Sequence, residues 1–191
     1  MSDSSVDSGK RTWLIASGCA GAVGVGFTAV PFVSSFQPSE RARAAGAAVE
    51  VDIGSLKPGE KLTVEWRGKP VWIVKRTPEQ LATLPKLDGQ LADPKSARNP
   101  AELTPEYARN EHRSIKPEIL VAVGICSHLG CSPSDKFQPG AQPSLPDDWA
   151  GGFLCPCHGS TFDMAGRVFK NKPAPDNLEV PRHMFLSDTL L

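Results

Sequence analysis

The chain has 191 residues, enough for one domain of ordinary size and a short appendage. Lys and Arg together number 21, as do Asp and Glu, so the formal net charge is zero and a nucleic-acid partner, which usually requires a basic excess, is not expected. Glycine (17) and proline (18) are both abundant, which favours a loop-rich, mainly β body over a helical bundle.

The N-terminal part consists of a polar tail, residues 1–11, and an uncharged stretch. Between Thr12 and Ser39 there is no Asp, Glu, Lys or Arg. The apolar core of this stretch, residues 13–33, would span ~30 Å as a helix, which is the thickness of a bilayer core. The sequence therefore predicts a single transmembrane anchor over residues 12–36.

Three alternatives to a retained anchor fit this stretch less well. A buried core helix of a soluble protein would carry a polar face, and this stretch has none. A cleaved signal peptide would suit the small residues at 45–47, but the apolar run exceeds the usual ~7–15 residues of such peptides. A lipoprotein site at residues 16–19 would lie too close to the basic pair that precedes it.

The orientation of the anchor is predicted from an export-like motif. Basic residues flank the apolar run on both sides, at 10–11 and at 41–43, so the positive-inside rule gives nearly equal weight to either orientation. Residues 9–14, with the sequence GKRTWL, resemble a twin-arginine export signal with lysine in place of the first arginine. The anchor is therefore expected in a bacterial inner membrane, with the C-terminal body in the periplasm.

An alanine-rich linker, residues 37–48, separates the anchor from the body. Fully extended, twelve residues reach ~40 Å, so the linker could act as a flexible hinge, or it could continue as a helix when the body is docked. The body, residues 49–191, shows strand-like alternation at 49–53, 61–66 and 70–74, and the last two stretches are expected to form a hairpin joined at Arg67-Gly68. Helix-start signals follow at Thr77 and Thr104, and a buried strand is expected at 119–125. This last strand leads directly into Cys126.

Two short motifs concentrate the chemistry of the chain: CSHLGC at 126–131 and CPCHGS at 155–160. Each can present one thiolate and one imidazole from a loop, and two facing loops would supply two Cys and two His ligands. When two His replace two Cys on one iron of a [2Fe–2S] cluster, the potential rises to roughly −150 to +300 mV, against about −400 mV for plant-type clusters. The pattern therefore favours a histidine-ligated iron–sulfur site.

Two structural alternatives account for fewer of these residues. Zinc commonly takes two Cys and two His, but such a site leaves no role for Cys131 and Cys157. A framework of disulfides alone leaves both histidines unexplained. Cys131 and Cys157 could instead close one disulfide between the two loops, which would suit an oxidising compartment.

With these motifs the chain resembles, over its whole length, the Rieske iron–sulfur subunit of the cytochrome bc complex. The resemblance implies a mainly β, antiparallel Rieske domain with a small cluster-binding part at about 125–175, preceded by one transmembrane helix. It implies one [2Fe–2S] cluster whose ligands are Cys126, His128, Cys155 and His158, and a disulfide between Cys131 and Cys157. Ser160 matches a hydroxyl that donates to a cluster sulfide and raises the potential.

The resemblance also implies an activity, that of a quinol–cytochrome c oxidoreductase subunit. A ligand imidazole, mainly His158 with His128 as the second, accepts a hydrogen bond from quinol at cytochrome b and takes the proton while the cluster takes one electron. Leu129, Gly130 and Pro173 form the apolar rim that docks on cytochrome b. The body then swings on the linker and passes the electron to the cytochrome c subunit of a dimeric complex, which contributes to the proton gradient.

Three features depart from the common pattern of the family. Phe162 stands where many relatives carry a tyrosine bonded to a ligand thiolate, so a somewhat lower potential is expected. Lys172 opens the proline-rich loop at 172–175, where glycine is common. The segment between the motifs, 132–154, is longer than in some relatives and contains no obvious chemistry.

Two other classes of Rieske protein are the alternatives to this family. One is the small subunit of a different membrane-attached or periplasmic oxidase, such as one that acts on arsenite. The other is a soluble ferredoxin or the Rieske domain of a ring-hydroxylating oxygenase. Members of the second class usually lack counterparts of Cys131 and Cys157 and need no anchor.

Overall fold

The structure is a computed structural model that describes residues 7–98 and 103–191. It consists of an N-terminal unit that ends at Ala47 and a larger body, Ala48–Leu191. Each unit is described by itself below.

The N-terminal unit contains two helices, α1 (Ser8–Ser34) and α2 (Glu40–Ala45). α1 begins where the Asp7 carboxylate accepts a hydrogen bond from the Lys10 amide at 3.2 Å, and its 27 residues make it ~40 Å long. It is long and apolar enough to cross a membrane, and its side chains are exposed all round. α2 shows that the linker contains a short helix capped by Ser39, whereas its role as a hinge stays a prediction.

The base of the body is an antiparallel sheet of three strands in the order β1 (Lys61–Trp66), β2 (Lys69–Lys75) and β3 (Ile119–Val123). The predicted hairpin between β1 and β2 is confirmed. Its two turn residues, Arg67 and Gly68, both have positive φ (52° and 72°), which matches the right-handed twist of the strands.

Both faces of β2 are covered, so its core is buried on both sides. Trp72 and Val74 point into one apolar cluster, which also contains the two motif cysteines Cys126 and Cys155. Val71 and Ile73 point into a second cluster on the opposite face. This alternation follows from the two-residue period of a strand.

The predicted helix start at Thr77 is confirmed by a complete capping box. The Thr77 amide donates to Gln80 Oε1 at 2.9 Å and the Gln80 amide donates to the Thr77 hydroxyl at 3.3 Å, and α3 (Pro78–Leu87) follows. The second helix start, at Thr104, yields only a 3₁₀ turn, Glu106–Ala108.

The strand predicted at 49–53 is wrong as an extended element. Only one isolated bridge forms there, between Asp52 and Leu190, and the backbones of Val51 and Leu191 exchange hydrogen bonds of 2.9 and 3.0 Å. The Ile53 amide also donates to the Thr189 carbonyl at 2.8 Å, so the pairing is confined to residues 51–53 and 189–191.

A second antiparallel sheet supports the motif loops, in the order β4 (Ser134–Lys136), β5 (Gly152–Leu154) and β6 (Thr161–Asp163). β3 leads into the first motif and β5 into the second. The mainly β fold with antiparallel sheets and one N-terminal apolar helix agrees with the fold class expected from the sequence.

The two sheets meet through aromatic stacking. The Trp72 ring of β2 stacks on Phe153 of β5 with ring centroids 5.0 Å apart, and the Lys61 ammonium lies 4.5 Å from the Trp72 ring centroid. Lys61 also pairs with Asp135 of β4 at 2.6 Å. Gly124 allows this approach, since a Cβ there would lie 2.2 Å from the Trp72 ring.

Replacing Gly124 by alanine should therefore destabilise the body. The new methyl group must displace the Trp72 indole, so we expect a loss of about 1–3 kcal/mol in the free energy of unfolding. Urea unfolding of the full chain in detergent, followed by tryptophan fluorescence, measures it. Gly89→Ala is the matched control, because a Cβ there meets nothing within 4 Å. Equal stability of the two variants would contradict the packing argument.

Candidate metal centre

The two motif loops, 126–131 and 155–160, have the same backbone geometry. In each, the amide of the first residue donates to the carbonyl of the sixth, at 2.8 and 2.7 Å, and the fifth amide donates to the first carbonyl, at 3.1 and 3.0 Å. The fifth residue is Gly130 in one loop and Gly159 in the other, with φ of 81° and 74°, a conformation that favours glycine. Similar sequences thus fold into two similar ligand-presenting loops.

A disulfide joins the two loops, as the sequence resemblance implied. Cys131 and Cys157 form this bond across a sequence separation of 26 residues. The bond joins the sixth residue of the first loop to the third residue of the second loop. One cysteine and one histidine of each loop remain outside the disulfide. The Cys131–Cys157 disulfide predicted from the resemblance is therefore confirmed.

The structure brings the four expected ligand residues together in two pairs. The side chains of Cys126 and Cys155 are both buried (2% exposed each) and belong to the same apolar cluster. The rings of His128 and His158 have centroids 4.7 Å apart at an angle of 85°. His128 is half-buried and His158 is exposed, so the thiols lie inside and the imidazoles lie toward solvent.

The environment of Cys126 includes Ser160. Burial raises the pKa of the Cys126 thiol, whereas hydrogen bonds to the His128 amide and to the Ser160 hydroxyl act in the opposite direction. Donors that favour the thiolate are what a cysteine ligand to iron requires. Ser160 itself is fully buried.

A different grouping of sulfurs is close enough for a metal but is not available to one. The Sγ atoms of Cys131, Cys155 and Cys157 lie within 4.8 Å of one another. Two of these three sulfurs are already bonded in the disulfide, which leaves Cys155 as the one free thiol of the group. The donor set that fits a two-iron cluster is therefore one thiol and one imidazole from each loop.

The proline-rich loop, 172–175, and the Asp176 that follows it are hydrogen-bonded to the two motif loops. The Ala174 amide donates to Ser160 Oγ at 2.9 Å. The Ser127 hydroxyl donates to the Asp176 carbonyl at 2.6 Å and accepts from the Asp176 amide at 3.3 Å. Sequence reasoning gave Ser127 no role, although its place between Cys126 and His128 was a signal that could have singled it out.

The three residues expected to form a docking rim are all exposed. Leu129 is 71% exposed, and Gly130 and Pro173 are exposed beside it in the first motif loop and the proline-rich loop. Leu129 is the large apolar side chain among the three, so it would contribute most of the area that a partner buries.

The departures from the family pattern lie in different places. Phe162 on β6 is fully buried in the apolar cluster that contains Cys126 and Cys155. Lys172 is exposed on the proline-rich loop. The turn at 137–151 lies at the end of the β4–β5 ladder opposite the motif loops, and the buried Trp149 holds it by donating from Nε1 to the Lys136 carbonyl at 2.8 Å.

Two histidines that sequence reasoning left unassigned lie outside the site. His112 follows Glu111, and its Nε2 lies 3.2 Å from that carboxylate. It is half-buried. His183 packs edge-on against Tyr107, and burial lowers its pKa. It lies in irregular backbone.

The sequence comparisons agree with this geometry. Residues 98–182 match the model of the Rieske [2Fe-2S] domain, and residues 6–39 match that of the TAT signal of the ubiquinol–cytochrome c reductase Fe-S subunit. The fold and the site thus define a Rieske protein that carries a [2Fe–2S] cluster. The signal match and the apolar α1 together indicate a membrane-anchored protein.

Named relatives identify the family within this class. The ubiquinol–cytochrome c reductase iron–sulfur subunit of Allochromatium vinosum is 56% identical over 95% of this chain and 86% of the relative. The corresponding subunit of Bradyrhizobium diazoefficiens is 39% identical over 94% of this chain and 91% of the relative. The Rieske-1 subunit of the mitochondrial cytochrome b-c1 complex of Arabidopsis thaliana is 42% identical over 76% of this chain and 45% of the relative. The chain belongs to the family of ubiquinol–cytochrome c reductase iron–sulfur subunits.

Replacing Phe162 by tyrosine should raise the midpoint potential. The ring lies among the apolar neighbours of both free cysteines, so a hydroxyl bonded to a ligand sulfur would stabilise the reduced, more negative state. A redox titration of the full chain measures it. Phe153→Tyr is the control, since that ring stacks on Trp72 and the hydroxyl should only destabilise. An equal shift in both variants would contradict a specific bond.

Removing the disulfide by the double change Cys131→Ala and Cys157→Ala should destabilise the body by about 3–4 kcal/mol. The loop that the bond closes loses its constraint in the unfolded chain, and the estimate follows from the 26-residue separation. Thermal unfolding of the full chain measures it. Cys19→Ala, which removes the exposed free cysteine of α1, should leave the stability of the body unchanged. Unaltered stability of the double variant would sink the prediction.

Proposed function

We propose that the chain is the Rieske subunit through which a membrane quinol–cytochrome c reductase passes electrons from quinol to a cytochrome c. The observation that supports this most directly is the pairing of two buried thiols and two outward imidazoles across loops that a disulfide joins. The 56% identity to an iron–sulfur subunit of such a reductase supports the same activity.

We assign one iron to the two thiolates, Cys126 and Cys155, and the other to the two imidazoles, His128 and His158. When bound there, the cluster supplies a one-electron carrier of high potential for its type. Because both thiols are buried, water has little access to the side of the site where Cys126 and Cys155 lie. The Ser160 hydroxyl, next to Cys126, supplies a donor that favours the reduced state.

The exposed histidine serves the substrate. His158 presents its ring to solvent, so it can accept a hydrogen bond from a quinol hydroxyl and take the proton as the electron leaves the quinol. His128 is half-buried, and we assign it as the second imidazole that faces the quinol.

The rim around the histidines determines where the body docks. Leu129, 71% exposed, with the exposed Gly130 and Pro173, would dock on the cytochrome b subunit, where quinol binds. The electron would then pass to the cytochrome c subunit of the same complex. Relatives named as subunits of a b-c1 complex support partners of this kind.

The N-terminal unit would keep the body at its partners. With α1 in the inner membrane of a bacterium and the body in the periplasm, residues 37–48 would serve as the hinge that turns docking into an intramolecular event. The match to an export signal supports the periplasmic location. We propose a dimeric complex, as the family resemblance implies.

Electron paramagnetic resonance of the dithionite-reduced full chain, purified in detergent with iron supplied, tests the ligand set. We expect the rhombic signal of a histidine-ligated [2Fe–2S] centre, and His158→Asn should abolish it because one iron loses a ligand. His112→Asn is the control and should keep it, since that ring contacts Glu111 and no motif residue. A silent wild-type sample with stoichiometric zinc would leave only a structural metal site.

Co-purification tests the partners. Extraction of the native complex in mild detergent should bring cytochrome b and a c-type haem with the chain. Recovery of a molybdenum subunit instead would point to an oxidase and would overturn the assignment to a quinol–cytochrome c reductase.

A further inference from the structure

Three buried polar side chains outside the motif loops have no part in the function proposed above. Ser96, Arg113 and Asn177 are each at most 1% exposed. Ser96 is also one of few non-glycine residues with a left-handed backbone, at φ 52°. A strained, buried serine costs stability, so its hydroxyl is expected to do something that the fold needs.

The Ser96 hydroxyl is the centre of this network. Its Oγ accepts a hydrogen bond from Arg113 Nε at 2.8 Å and another from Asn177 Nδ2 at 3.1 Å. Asn177 Nδ2 also donates to the Asp93 carbonyl at 2.9 Å, and Asn177 Oδ1 accepts from the Val168 amide at 2.9 Å. The Asn177 side chain is thus fixed from both ends.

Arg113 connects the same serine to two backbone segments near the site. Its Nη1 donates to the carbonyls of Ala165 and Gly166 at 3.0 and 3.2 Å, just after β6. Its Nη2 donates to the Leu178 carbonyl at 2.6 Å, just after the proline-rich loop. Burial lowers the pKa of Arg113 to about 10, so the guanidinium remains charged at neutral pH.

These contacts hold the far end of the proline-rich loop. The loop is tied to the motif loops at Ala174 and Asp176, and the next two residues, Asn177 and Leu178, are held by the network. If the far end were released, the Ala174 amide would leave the Ser160 hydroxyl. That hydroxyl, which lies beside Cys126, would then be free to rotate.

We propose that Ser96, Arg113 and Asn177 are positioning residues that hold the proline-rich loop against Ser160 and so set the midpoint potential of the cluster. None of the three contacts a motif residue among the described contacts, so they act through the loop. The inference rests on the ligand set proposed above, since a potential can be assigned to this site only if the cluster is bound there.

The test compares variants of two buried serines, Ser96 and Ser114, each of which accepts a hydrogen bond from an arginine. Ser114 matches Ser96, because its hydroxyl accepts from Arg76 Nη2 at 2.7 Å and is equally buried. Arg76 donates to the carbonyls of His112, Pro117 and Met164, and none of its described contacts reaches the proline-rich loop. Ser96→Ala and Ser114→Ala should therefore lower the stability of the chain alike but differ at the cluster.

In Ser96→Ala we expect a lower midpoint potential in a redox titration of the full chain, since the Ser160 donor loses its fixed direction. We also expect at least tenfold faster hydrogen exchange at the Ala174 amide. Ser114→Ala should change neither. Ser96→Gly removes the hydroxyl while relieving the left-handed φ, so it provides the same comparison if the alanine variant does not fold.

An unchanged potential and unchanged Ala174 exchange in Ser96→Ala or Ser96→Gly would overturn the proposal, as would an equal shift in Ser114→Ala. These outcomes are distinct from failure of the ligand set. If the wild-type chain lacks the rhombic signal, the ligand set is wrong, whereas a normal signal with an unmoved potential refutes only the positioning role.

Discussion

The site depends on holding the two motif loops, 126–131 and 155–160, face to face. Each loop must leave its thiol and imidazole free for metal, so those side chains cannot be the ones that fix the loops. The Cys131–Cys157 bond supplies the covalent constraint, and repeated backbone hydrogen bonds fix each loop internally. Ser127 and Ser160 connect each loop to the proline-rich loop. The two thiols and two imidazoles are therefore oriented by the disulfide, the backbone of the loops and two serine hydroxyls rather than by contacts of their own.

The rest of the body provides a rigid support behind these loops. β3 and β5 each end where a motif begins, so the direction of two buried strands sets the direction of the first cysteine in each loop. The Trp72–Phe153 stack joins the two sheets, which lets one apolar cluster enclose both free thiols. Packing, hydrogen bonding and the disulfide thus support the same arrangement, as expected when local and global preferences agree.

Sequence reasoning succeeded where the determining signals were local. The β1–β2 turn at Arg67–Gly68 and the Thr77 capping box each depend on a few adjacent residues, and both are present. The strand at 49–53 failed because its partner is the other end of the chain. Ser96 was not predicted, since a serine in a loop carries no sign that an arginine and an asparagine, each many residues away, will bond to it.

The pairing of Val51 with Leu191 has a practical consequence for labelling and purification. Because the backbones of Leu191 and Val51 exchange hydrogen bonds, a tag or fluorophore fused to the C-terminus would emerge beside Val51 of the body and could disturb this pairing. The turn at 137–151 lies at the end of its ladder away from the motif loops, and most of its residues are exposed. A reporter inserted there would follow the body with the least disturbance to docking.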